Sequence, residues 1–209
     1  MKRKKKLLFG FVEYTGTIGK KKKDPNEVKD PRPPSENEMA VRLKFALVTR
    51  FLAKANTLIK LGYKKKVKKY SSPMNIAVKE TLRDAVTGEF PNFSIDYSKV
   101  VISTGSLDEP WETFMLPIGG AGIRISWLIS RYMSKSSDIT DMAMVFLYCE
   151  QTDQGVTVEQ AAKRDDLGLT IELDKGFAGY HWHAWIFFIS ENKKLVSDSV
   201  YLEEIKLVE

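Results

Sequence analysis

The chain reads as an α+β protein with a basic N-terminal arm, a two-helix segment and an immunoglobulin- or fibronectin-III-like β-sandwich. Three observations lead there. Lysine-rich blocks and prolines crowd the first 34 residues. Apolar residues then recur at helical spacing from Met39 to Leu61. From Phe90 onward the pattern changes to short alternating runs, about seven strands over about 115 residues, set apart by turn residues. The expected divisions are an arm at 1–34, a helical hairpin at 35–89 and a sandwich at 90–209.

In the arm, Lys2, Arg3, Lys4, Lys5 and Lys6 form one repelling block, and Lys20, Lys21, Lys22 and Lys23 form another. Pro31, Pro33 and Pro34 exclude helix and central strand, because proline lacks the amide donor and fixes φ. Between the blocks, Leu7 to Ile18 is apolar and glycine-punctuated, with Leu7, Leu8, Phe9 and Phe11 the candidate contacts to another surface. Left alone, such an arm is expected to be disordered.

Ser35 and Glu38 have the spacing of a capping box. The helix that follows carries apolar side chains at 39, 43, 47, 51, 55, 58 and 61, with Gly62 as its left-handed cap. Arg42, Lys44, Arg50, Lys54 and Lys60 are expected to make the rest of its surface basic. Lys64, Lys65, Lys66, Lys68 and Lys69 form a basic connection. A second helix starts with Ser72 as N-cap and Pro73 at N1, has Met74, Ala77, Val78, Leu82 and Ala85 inside, and ends at Gly88.

In the sandwich, strands are expected at 93–97 or 99–103, 123–127, 142–148, 170–173 and 180–189, then a final hairpin of 199–202 with 205–207, with Thr104 to Pro117 as a loop. The richest stretch is Tyr180 to Ile189. Period two puts Tyr180, Trp182, Ala184, Ile186 and Phe188 on one face and His181, His183, Trp185, Phe187 and Ile189 on the other. A sandwich strand covers one face with its partner sheet. The second face, Trp185 and Phe187 above all, therefore needs the helices or another molecule over it.

Three groups of residues resemble those of a known family. They are Arg42 to Val48 with Phe51, Leu52 and Leu61-Gly62-Tyr63; Ala85 to Gly88, Phe90 to Val100 and Ser103 to Leu107; and Gly176 to Gly179 with Val196 to Tyr201. Together they resemble a family of roughly 200-residue proteins of unknown function, found mainly in Bacteroidota, over about residues 40–205. Ile95-Asp96-Tyr97-Ser98-Lys99-Val100 is the most specific block. The resemblance implies the domain layout and no activity, and the lysine blocks of the arm depart from it.

Composition bounds the function. A hydrophobic content of 43% with 11% aromatics supplies a core, so the chain as a whole is not disordered. The single Cys149 excludes an intramolecular disulfide and a cysteine zinc cluster, and fits a cytoplasmic protein or a particle assembled there. No apolar run reaches the ~18 residues of a membrane span. The first 12 residues imitate a secretory signal, but Glu13 breaks the apolar part and no cleavage site follows. The net charge of +6 conceals a split: residues 1–69 hold 21 basic against 6 acidic side chains, and residues 70–209 hold 12 against 21.

Catalytic patterns are wanting. His181 and His183 point the same way on a strand and could chelate one metal, yet the chain has no third histidine. The alternative is stacking on Trp185 or a partly exposed sheet face. Cys149 follows an apolar strand and reads as a buried thiol. Gly16 to Lys20 lacks the spacing of a phosphate loop, and Gly119 to Gly122 is followed by no helix. No enzyme and no cofactor are expected. The lysine clusters point instead to one of two roles. One is a structural or assembly protein, such as a phage or phage-derived particle component, anchored by its arm to protein partners in an oligomer or larger complex. The other is sequence-independent nucleic-acid binding through phosphate neutralisation.

Overall fold

The computed structural model describes residues 7–8, 11–12, 32–66 and 71–209, with the backbone alone for the first four and for Lys65. The chain forms two units, Met1–Pro34 and Ser35–Glu209. In the first, β1 (Leu7–Leu8) pairs antiparallel with β2 (Phe11–Val12). The rest of the apolar stretch between Leu7 and Ile18 lies outside the described residues. Both lysine blocks, Phe9, Lys68 and Lys69 lie outside the described residues.

The second unit begins with α1 (Glu36–Ala53). The Ser35 hydroxyl accepts the Glu38 amide at 3.3 Å, and the Ser35 amide donates to the Glu38 carboxylate at 2.8 Å, closing the expected capping box. The helix stops at Lys54 and Ala55, and α2 (Asn56–Gly62) continues from there. Gly62 closes α2, but its role differs from the expected left-handed cap. A Cβ on it would stand 2.6 Å from the Ile102 carbonyl oxygen and 2.7 Å from Ser103 Cα, so glycine lets another strand of backbone cross the helix end.

α3 (Pro73–Asp84) starts as expected, with the Ser72 hydroxyl accepting the Asn75 amide at 3.1 Å. It ends four residues before Gly88, which lies in a hairpin of β3 (Val86–Glu89) and β4 (Asn92–Ile95) at φ 86°. The division expected between 89 and 90 therefore cuts through a hairpin. Residues 99–103 form no strand.

The sandwich has seven strands. They are β5 (Trp111–Ile118), β6 (Gly122–Leu128), β7 (Met142–Cys149), β8 (Gln154–Lys163), β9 (Gly168–Glu172), β10 (His181–Ile189) and β11 (Val200–Lys206). One sheet has the order β5-β6-β9 and the other β11-β10-β7-β8, with antiparallel pairing throughout. This is the fibronectin-III-like sandwich expected, reached with two differences. β5 occupies a stretch read as loop, and β8 runs where no strand was expected. The final strand is continuous with an irregularity in its pairing to β10, and is not a hairpin.

The period-two reading of β10 holds through the structure. Trp182, Ala184, Ile186 and Phe188 enter the core between the sheets, with Ile123, Ile125 and Trp127 of β6 and Val145 and Leu147 of β7. Trp185, Phe187 and Ile189 enter a second core with Met144, Phe146 and Tyr148, roofed by Val48, Phe51, Leu52, Leu58 and Ile59 of α1 and α2. The four-stranded sheet is thus buried on both faces, and the helices supply its outer cover.

Candidate interaction surfaces

The residue blocks that carried the family resemblance meet in space. The amides of Ser106 and Leu107 donate to the Val196 carbonyl at 2.8 and 3.0 Å. Ser103 Oγ donates to the Ser197 carbonyl at 2.7 Å, and Ser199 Oγ accepts the Ile102 and Ser103 amides at 3.0 and 3.3 Å. The Asp198 carboxylate accepts the Gly105 amide at 2.8 Å. The segment leading out of the helical region is thereby fixed to the turn before β11. Short hydroxyl and carboxylate side chains do this because they reach backbone groups that no sheet ladder satisfies.

At the same seam lies the histidine pair. His183 Nδ1 is 2.7 Å from the Tyr201 hydroxyl, and its ring lies against Tyr97 with 4.2 Å between centroids and the planes tilted by 35°. Burial pushes His183 below the ordinary imidazole value, against the opposing pull of Glu204 and Glu150. Burial likewise pushes the Tyr201 phenol up to about 12. His181 stands half-exposed with Nδ1 3.3 Å from a Glu204 carboxylate oxygen. The His183 ring stacks on Tyr201 at 6.0 Å, and Trp185, the partner the sequence suggested, is in tilted contact at 6.3 Å. Among the described residues, no group of three or more His, Cys, Asp or Glu is arranged to hold a metal ion. Cys149 is fully buried and donates to the Gln151 side chain.

The basic residues are less free than their number suggests. Lys64 to Lys66 make a 3-10 turn after α2. Lys64 is exposed there, while Lys66 Nζ lies 3.2 Å from Glu80, whose other oxygen accepts the Tyr63 hydroxyl at 2.8 Å. On α1, Arg50 and Lys54 both reach one Asp153 oxygen, at 2.7 and 2.6 Å, and Lys44 lies over the Phe93 ring at 4.5 Å. Three of the five cations expected to make a free basic helix surface are therefore engaged with β4 or with the turn between β7 and β8.

The apolar residues are correspondingly less hidden. Trp185 and Phe187, named as interface residues, are 0% and 1% exposed beneath α1 and α2. Their interface lies within the chain, and they are closed to any other molecule. Met39 and Leu43, placed on the inner stripe of the first helix, are instead exposed, as are Val41 and Phe45. On the sandwich, Trp111, Phe114 and Leu116 of β5 and Leu128 of β6 are exposed too. Sequence reasoning missed this second group by taking residues 104–117 for a loop. Its signal was the alternation of Phe114 and Leu116 about Met115, which packs inward against the sandwich core.

With this geometry in view, the chain belongs to a family described as a family of unknown function, DUF6266, whose model matches residues 12–203. No curated protein matches the chain. Among solved structures it is similar to the twitchin kinase region of C. elegans, at 15% identity and a TM-score of 0.38, over 49% of this chain and 17% of that one. It is also similar to the fn3 domain of human collagen alpha-1(XX), at 13% identity and TM-score 0.35 over 51% and 91% of the two chains. A third likeness is to the fn3 domain of human contactin 1, at 8% identity and TM-score 0.33 over 51% and 84%. Among the described residues, no helix is long and apolar enough to cross a membrane.

Proposed function

We propose that this protein is a non-enzymatic structural component of a larger assembly, joined to it through its polybasic N-terminal segment. One observation carries the reading. Two complete cores account for both faces of the central sheet, yet large apolar side chains remain displayed outside them on α1 and on β5. Patches of that kind mark contact surfaces. The charge split supports protein partners further, because a basic extension is attracted to acidic faces of neighbouring copies. A basic arm on a sandwich body suits a component of a phage or phage-derived particle assembled in the cytoplasm.

Sequence-independent nucleic-acid binding is the second reading, favoured by exposed Lys64 beside the lysine-rich connection. Deleting residues 1–34 separates the two, since both cores lie wholly within the remaining chain. The assembly reading expects the truncated chain to be lost from the larger complex while contacts between copies outside the arm persist, with no nucleic acid retained by the intact chain. Loss of nuclease-sensitive nucleic acid from an oligomer of unchanged size would overturn it.

A further inference from the structure

The first displayed face is the N-terminal half of α1. Residues 39–47 read Met-Ala-Val-Arg-Leu-Lys-Phe-Ala-Leu, seven apolar residues interrupted only by Arg42 and Lys44. Only the second half of α1 is buried; Val41 is 67% and Phe45 52% exposed. Phe45 joins Val78 and Leu82 in an open groove against α3, and Lys79 and Arg83 stand on its rim.

The second face is the outer side of β5 and β6, where Phe114 is 59% and Leu116 62% exposed, with Trp111 and Leu128 paired at the strand ends. β5 is an edge strand, and Pro117 together with an irregularity between Trp111 and Phe114 discourages a further strand from adding to it. The face, not the edge, is what β5 offers.

The two faces lie on segments of opposite net charge. Residues 35–89 hold 12 basic against 5 acidic side chains, and residues 90–209 hold 10 against 18. Glu112 of β5 and Glu172 of β9 are exposed here, and on β6, the middle strand, exposed Arg124 stands in register opposite Leu116 and Thr170.

We propose that the two faces dock on each other between copies, the α1–α3 groove of one taking the β5–β6 face of the next. This rests on the assembly reading and names its contact. Opposite net charge favours this pairing, whereas groove against groove would set Lys79 against its own copy, Arg83 being already paired with Asp84 at 2.6 Å. Both exposed patches then find their cover in the same chain. Such a contact is heterologous: each docked copy keeps one free groove or face, so copies add head to tail into a ring or a filament.

Sedimentation velocity on the full chain tests this with two variants, Phe45→Asn in the groove, which sets an unpaired amide against the apolar face, and Leu116→Lys on the face, which meets Lys79 of the groove. Both positions are more than half exposed, so folding is retained, as near-ultraviolet circular dichroism will verify. The unaltered chain is expected to form large species at low salt, and each variant alone to be a monomer. A one-to-one mixture is expected to form a dimer and stop, because one intact groove and one intact face remain. A mixture that stays monomeric, or either variant alone assembling as the unaltered chain does, overturns the contact and leaves the assembly reading to the arm. An unaltered chain that is monomeric at every concentration overturns both.

Discussion

Trp185 donates its indole N–H to the carbonyl oxygen of Val100 at 3.1 Å, from the middle of β10 to the last residue of the most specific family block. That bond joins the covering segment to the sheet it covers. The same indole packs with Phe51, Phe146, Tyr97 and Tyr201, so one side chain touches α1, β7, β11 and the segment after β4. The helices are thus part of the same folding unit as the sandwich.

Truncation in this second core tests that unity. Trp185→Ala or Phe187→Ala is expected to destabilise by about 3 to 5 kcal/mol, the usual cost of removing a buried aromatic. In urea, the helical signal at 222 nm and tryptophan fluorescence should be lost together in both variants. Helix lost at lower urea than the sandwich would show that the cover is an independent layer.

His183 gives a pH signature. Its folded value lies below the ordinary imidazole value, mainly through burial, so below about pH 6.5 the unfolded chain binds a proton that the folded chain resists. Stability is therefore complete above that value and declines as pH falls through it. His183→Gln should flatten the profile in this window, measured as the urea midpoint from pH 8 to pH 5. An unchanged slope would remove His183 as the cause.

Asp153 acts lower on the same scale. Hydrogen bonds from Lys54 first, and also from Arg50 and Tyr148, hold its carboxyl down to about 2. Its contribution is present above the ordinary carboxylate value of about 4 and is lost as pH falls from there toward 2. Asp153→Asn should cost about 1 kcal/mol at neutral pH, since the pair is only partly covered, and should leave the His183 window intact. Denaturant titrations of the variant at pH 7 and pH 3 measure both expectations.

Gly62→Ala should cost about 1 to 3 kcal/mol, because the added methyl meets backbone at Ile102 and Ser103 and no side chain can turn away. Thermal unfolding measures it. An equal cost for Gly119→Ala, where the added methyl would meet only the Glu209 carbonyl oxygen at an ordinary 3.5 Å, would mean that close approach at Gly62 is not the reason.

Much of this architecture was legible in the residues. The Ser35–Glu38 box, the Ser72–Pro73 start and the two faces of β10 each follow from a local rule that tertiary structure left alone. β5 was hidden because its large apolar side chains face outward and Pro117 lies inside it, so it lacks the signature of a half-buried strand. β8, also at an edge, turns polar after Val158. The apolar spacing of α1 suggests one inner stripe, yet its fully buried residues begin only at Val48, with Leu47 half-covered just before them. No local pattern records where a neighbouring layer ends. For the same reason the sequence named Trp185 and Phe187 as contact residues and passed over Phe114 and Leu116.

The central claim, that the displayed apolar faces serve assembly, is tested most directly by sedimentation velocity of the intact chain over a concentration series at low salt. The account predicts an average sedimentation coefficient that climbs with concentration and falls back when salt is raised. A single monomeric species at every concentration would contradict it.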